Sequence, residues 1–177
     1  DGAPIETAAD GIHVRRFQHD GFDATIPGDP SSAAFLIAAA AVTGSQISIE
    51  GVGLNPSRLH FLDVMGRMGI RTTCAIERIE LGEPMGSITV EPCPGIRAVR
   101  VGPDELPLII DEVPVLAALA AHAASDSWFL DAAELRVKES DRLAAITAGI
   151  RHLGGVAADE GVDLVIGGGG LEGGRAD

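Results

Sequence analysis

Hydrophobic and polar positions along the chain fall into two similar blocks. Residues 33–41 are apolar on every side, which predicts a buried helix, capped by Ser31 or Ser32 and ended by Thr43-Gly44-Ser45. Residues 46–50 then read as a strand. A second helix is predicted over 57–68, because Phe61, Val64, Met65 and Met68 form one stripe at i, i+3, i+4 and i+7, and Gly69 follows where a left-handed cap is wanted. Strands over 71–76 and 87–90 close the block. The second block starts with an apolar helix over 114–124, a break at Ser125-Asp126-Ser127 and a short strand over 128–130. An amphipathic helix then begins near Glu139, with Leu143, Ile146, Ile150 and Leu153 as its stripe, followed by a Gly154-Gly155 stop and a strand over 162–166. The two breaks lie roughly 80 residues apart, which marks duplicated supersecondary units of an α/β architecture. Ahead of both blocks, residues 11–26 predict a hairpin turning at His19-Asp20-Gly21, and Pro27-Gly28-Asp29-Pro30 breaks the chain as a hinge.

Composition narrows the function classes. With 177 residues, 46% of them hydrophobic, the chain has material for one packed domain or for part of a larger one. Twenty-six acidic against thirteen basic residues give a net charge of −13, so neither nucleic acid nor an anionic membrane is an expected partner. A small anionic ligand then requires a local cluster of cations. The longest apolar run, 33–42, is about half a membrane span, and no signal peptide is visible. Cys74 and Cys93 stand far apart, in no disulfide or metal spacing, which points to a reducing cytoplasm. His13, His19, His60, His122 and His152 show no ligand spacing either and are expected to be structural or exposed. The chain starts at Asp1 without Met and stops in a glycine-rich run, so it is expected to be a fragment.

The cation cluster does occur. Arg136, Lys138 and Arg142 fall within seven positions, and if a helix starts here Lys138, Glu139 and Arg142 share one face of its first turn. Free N–H groups and the positive end of the helix dipole point the same way, a sound arrangement for an anion. A solvated Glu139–Arg142 pair at i, i+3 explains the same residues more blandly, and both readings stand at this level. Asp111-Glu112 precedes the Pro114-led helix, either as an N-terminal cap or as a source of a general base toward a substrate hydroxyl. Pro27-Gly28-Asp29-Pro30-Ser31-Ser32 lacks the lysine and spacing of a P-loop and reads as hinge plus cap.

Three motifs in order, Pro27-Gly28-Asp29-Pro30-Ser31-Ser32-Ala33-Ala34-Phe35, Asp111-Glu112-Val113-Pro114-Val115-Leu116 and Glu134-Leu135-Arg136-Val137-Lys138-Glu139-Ser140-Asp141-Arg142-Leu143, resemble the 5-enolpyruvylshikimate-3-phosphate synthase family over nearly the whole chain. The Lys138-Glu139-Ser140-Asp141-Arg142 core separates that family from UDP-N-acetylglucosamine enolpyruvyl transferases. The resemblance implies the enolpyruvyl transferase fold, an inside-out α/β barrel of repeated βαβαββ units, with about two units of one domain present. In those terms 1–26 is a terminal hairpin of the preceding domain, 27–30 the crossover, 31–102 one unit and 103–177 the next. The implied reaction transfers the enolpyruvyl group of phosphoenolpyruvate to the 5-hydroxyl of shikimate-3-phosphate, on the route to chorismate and aromatic amino acids, in a family targeted by glyphosate. No metal or organic cofactor is implied. By the same resemblance Asp111 is the base near the 5-hydroxyl, Lys138 contacts that hydroxyl region and shikimate-3-phosphate, Glu139 is the acid and Arg142 holds phosphoenolpyruvate. Glu139 stands between two cations, which favours its charged form, so its acid role is expected only in a closed, substrate-loaded site. The family's amino-terminal and later substrate-binding motifs are absent from this stretch, and the isolated chain is expected to be inactive. Its alternatives are a non-catalytic binding module of the same fold or transfer to a UDP-sugar. Self-association through uncovered sheet edges is a further expectation.

Overall fold

The computed structural model describes residues 3–18, 21, 23–138 and 140–174. Its first elements are β1 (Ile5–Ala8) and β2 (Gly11–Val14), an antiparallel hairpin turning at Ala9-Asp10. This corrects the hairpin expected over 11–26. Its expected turn residues His19 and Asp20 lie outside the described residues, and no strand is found among the described residues of 15–26. The alternation misled because every residue of β1 and β2 is exposed, so neither strand has a buried face to impose period two. Side chains hold the hairpin instead: Arg15 Nη2 donates to Glu6 Oε1 at 2.9 Å, and His13 Nε2 meets Asp10 Oδ1 at 2.9 Å.

The first unit follows. Its leading helix, α1 (Pro30–Thr43), is capped by Asp29, whose carboxylate accepts the Ser32 N–H at 2.9 Å. Asp29 therefore caps the helix, in place of Ser31 or Ser32. Pro30 sits at the first helical position, where its missing N–H costs nothing, and Gly44 ends the helix at φ 64°. Next come β3 (Ile47–Gly53), a 3₁₀ turn Pro56–Arg58, α2 (His60–Arg67), β4 (Thr72–Glu80) and β5 (Glu83–Val90). All four residues of the predicted α2 stripe are buried. The strand order is β3-β5-β4, both pairs antiparallel, and Gly28 forms a parallel bridge to Val52 on the outer edge of β3. The segment ahead of α1 is thus tied to the sheet: Gly28 N–H donates to Gly51 O at 2.7 Å and Gly53 N–H to Gly28 O at 2.9 Å.

The second unit repeats this plan. It runs β6 (Arg100–Val101), a 3₁₀ turn Leu106–Ile109, α3 (Val113–Ala121), β7 (Ser127–Phe129), a 3₁₀ turn Ala132–Arg136, α4 (Arg142–His152), β8 (Val156–Glu160) and β9 (Asp163–Gly167). Its sheet order β6-β7-β9-β8, parallel then antiparallel twice, matches Gly28-β3-β5-β4. The predicted βαβαββ repeat is therefore present, with elements the sequence pattern did not show. Among these, β8 is poor in β-branched residues, and β6 is two residues long.

One core spans both units, with α1 against α3 at its centre and Phe61, Ile37, Leu116 and Phe129 fully buried. Contrary to its all-apolar sequence, α1 is covered on one side only. Phe35 (61% exposed), Leu36 (54%) and Val42 (46%) leave an apolar stripe in the open.

Candidate active site

Two segments build the site, and each is anchored by local physics. The first arrives through the 3₁₀ turn Leu106–Ile109, which buries Leu106 and Ile109. Ile110 is buried after it, and Asp111 emerges at the start of α3 with a half-exposed carboxylate. The second leaves β7 at Asp131, an Asp in left-handed backbone (φ 55°) whose N–H donates to Asp163 Oδ1 at 2.8 Å. The turn Ala132–Arg136 then buries Ala132 and Leu135 as anchors. Beyond it Lys138 projects, and Asp141 caps α4 by accepting the Ala144 N–H at 2.9 Å.

The cations converge in part. Arg142 Nη1 donates to Asp111 Oδ1 at 3.0 Å, and Lys138 Nζ lies 4.0 Å from the same oxygen and 3.8 Å from Glu134 Oε1. Asp111, Lys138 and Arg142 therefore meet, from segments that are separate in sequence. Arg136 does not join them. Its guanidinium reaches Asp159 at 2.5 Å, Gly161 O at 3.1 Å and Asp141 at 3.3 Å, and the Asp159 carboxylate holds it above its ordinary pKa. It clamps the loop to the β8–β9 hairpin. The expectation that Lys138, Glu139 and Arg142 share a first helical turn fails for Lys138, because α4 begins only at Arg142 and Asp141 serves as cap. Glu139 lies outside the described residues.

Asp111 and Glu112 were expected to cap α3, but no side-chain cap is made there. Glu112 is buried and turns toward α1, where Ser31 Oγ donates to its Oε1. Arg58 Nη2 in turn donates to Ser31 Oγ at 3.0 Å and to Asp29 Oδ1 at 3.2 Å. Burial raises the Asp29 carboxyl, but the Ser32 and Ser31 hydrogen bonds and the Arg58 charge outweigh it and hold the group below its ordinary pKa. Sequence reading missed this relay. The available signal was that Ser31 and Glu112 stand at the starts of the two repeated buried helices, one repeat interval apart.

A shallow apolar groove of about 370 Å³ runs beside the cluster, lined by Pro114, Arg142, Ala145, Ile146, Gly149 and Ile150. A larger groove, about 1070 Å³, lies beside α2 and contains none of the cluster. Its arginines pair outside the cluster, Arg67 with Glu105 at 2.6 Å and Arg71 with Glu91 at 3.7 Å, whereas the smaller groove is lined by Arg142 of the cluster itself. Among the described residues, no His, Cys, Asp or Glu group suits a metal ion, and no helix is long and apolar enough to cross a membrane.

The family model for EPSP synthase (3-phosphoshikimate 1-carboxyvinyltransferase) matches residues 2–176. This chain belongs to the EPSP synthase family. The 3-phosphoshikimate 1-carboxyvinyltransferase of Thermus thermophilus is 45% identical over 98% of this chain, which spans 41% of that enzyme. That of Granulibacter bethesdensis is 49% identical over 81% of the chain and 32% of its own length. Among solved structures, EPSP synthase from Acinetobacter baumannii superposes with a TM-score of 0.85 at 34% identity, covering 96% of this chain and 38% of that one. The enolpyruvyl transferase NikO from Streptomyces tendae shares the fold, with a TM-score of 0.67 at 20% identity, covering 98% of this chain and 39% of its own. The chain thus has the enolpyruvyl transferase fold of its family and spans about two fifths of the length of these relatives.

Proposed function

We propose that this chain is the part of a 3-phosphoshikimate 1-carboxyvinyltransferase that holds phosphoenolpyruvate and supplies the acid and base. The supporting observation is the meeting of Lys138 and Arg142 at the Asp111 carboxylate. The guanidinium matches a planar carboxylate through two parallel N–H donors. A substrate carboxylate that takes Arg142 frees Asp111 from its 3.0 Å contact and turns it toward the incoming hydroxyl. In the reaction, the 5-hydroxyl of shikimate-3-phosphate adds to C2 of phosphoenolpyruvate. Asp111 takes the hydroxyl proton, and Glu139 delivers a proton to the methylene carbon. The tetrahedral intermediate then loses inorganic phosphate and a proton from the new methyl group, which restores the double bond as an enol ether. Lys138 neutralises the anions gathered around the hydroxyl. The start of α4 adds the positive end of its dipole.

The two thiols, Cys74 and Cys93, are free, which fits the cytoplasm as its setting. Without the rest of the polypeptide the chain is inactive, and its open edge strands make it self-associate. Transfer to a UDP-sugar is disfavoured by the Lys138-Glu139-Ser140-Asp141-Arg142 core.

The test uses the full-length protein carrying this chain. Arg142→Ala is expected to weaken phosphoenolpyruvate binding about 10- to 100-fold, the worth of a hydrogen bond to a charged group. Glu139→Gln is expected to lower kcat by about 100-fold or more while binding holds. Wild-type affinity for phosphoenolpyruvate in Arg142→Ala refutes that residue's assignment.

A further inference from the structure

We propose that Glu112 is a positioning residue, through which Ser31 and Arg58 of the first unit set the place of Asp111 in the second. The proposal deepens the synthase reading above and rests on it for its catalytic consequence. Glu112 is only 5% exposed, whereas its neighbour Asp111 keeps a carboxylate 55% exposed among the cations. A carboxylate so enclosed requires partners. The direction of its hydrogen bond follows from the relay. A guanidinium only donates, so Arg58 Nη2 occupies a lone pair of Ser31 Oγ, and the serine hydrogen is left for Glu112 Oε1. Arg58 is itself held by the Asp29 carboxylate that caps α1.

The backbone completes the clamp. Glu112 N–H donates to Ile109 O at 2.9 Å, and its carbonyl accepts Leu116 N–H at 3.0 Å as the first bond of α3. Residue 112 is therefore pinned at its side chain by α1 and at both backbone groups by its own segment. Asp111, one residue earlier, meets Arg142 and Lys138 with its side chain, both of which approach from the loop and helix start that follow β7. Loss of the Ser31 contact leaves Glu112 buried and short of a donor, which drives it outward and carries Asp111 with it.

The experiment has two arms. In the full-length protein, Glu112→Ala and Ser31→Ala are expected to lower kcat about 10- to 100-fold. Glu112→Gln, whose amide oxygen accepts the same hydrogen, is expected to stay near wild type, and the double variant to be no worse than either single one. In the 177-residue chain itself, the side-chain N–H NMR signals of Arg142 report its pairing with Asp111 whatever the turnover. They are expected to shift in both alanine variants and to stay in place in Glu112→Gln. Unmoved Arg142 signals in folded Glu112→Ala and Ser31→Ala, or equal losses in the Gln and Ala variants, overturn the proposal. A wild-type protein without turnover refutes the synthase reading, and the Arg142 signals still decide this one.

Discussion

At the scale of single residues, the carboxylate that holds each cation decides what it can do: Asp111 keeps Lys138 and Arg142 together, and Asp159 holds Arg136 away from them. Arg136, Lys138 and Arg142 look equivalent in one motif, but Lys138 reaches Asp111 from the loop ahead of α4 rather than from a shared helical turn, and Asp159 claims Arg136. Ser31, Arg58 and Glu112 carry no local signature, because each pairs with a residue far away in sequence. Asp29 gives a pH test of this polar group. Its folded pKa lies below the ordinary 3.8, so its stabilisation is present above that value and is lost as pH falls through the lowered one. Asp29→Ala removes the cap of α1 and is expected to cost about 0.5–2 kcal/mol at pH 7. In urea titrations of wild type and variant the difference is expected to shrink as pH falls to 3; an unchanged gap contradicts the role of the charge.

At the scale of elements, periodicity located helices whose stripes are buried and failed where burial does not enforce a pattern. The α2 stripe was legible because Phe61, Val64, Met65 and Met68 all enter the core. The first hairpin was misplaced because both its strands face solvent. Glycine requirements were equally invisible in sequence. Gly86 lies in β5, the central strand, beside register shifts in both of its pairings, and a Cβ there runs into the Ala75 carbonyl. Gly66 on α2 has no neighbour that a Cβ would meet. Gly86→Ala is expected to destabilise the chain by about 1–3 kcal/mol, while Gly66→Ala is expected to stabilise it by about 0.4–1 kcal/mol. Urea midpoints decide between this and a uniform response, which contradicts the backbone packing described.

At the scale of the molecule, the repeated order of elements was readable because both units solve the same burial problem with the same sequence of helix, strand, helix and hairpin. Which faces lack cover was not readable, since an all-apolar helix looks equally buried on every side. In the structure, α1 exposes Phe35, Leu36 and Val42, and the edge strand β4 exposes Ile76 and Ile79. Open apolar edges of this kind pair with other chains. Sedimentation of the 177-residue chain is expected to show larger species as concentration rises, and Ile76→Lys with Ile79→Lys is expected to suppress them. A strictly monomeric profile at high concentration contradicts pairing through that edge. The central claim, that Asp111, Lys138, Glu139 and Arg142 serve enolpyruvyl transfer in a longer polypeptide, is tested most directly by phosphate release from shikimate-3-phosphate and phosphoenolpyruvate. The expected result is release by the full-length protein and none by the 177-residue chain unless the remaining segments are added back. A folded full-length protein that binds both compounds and releases no phosphate contradicts the claim.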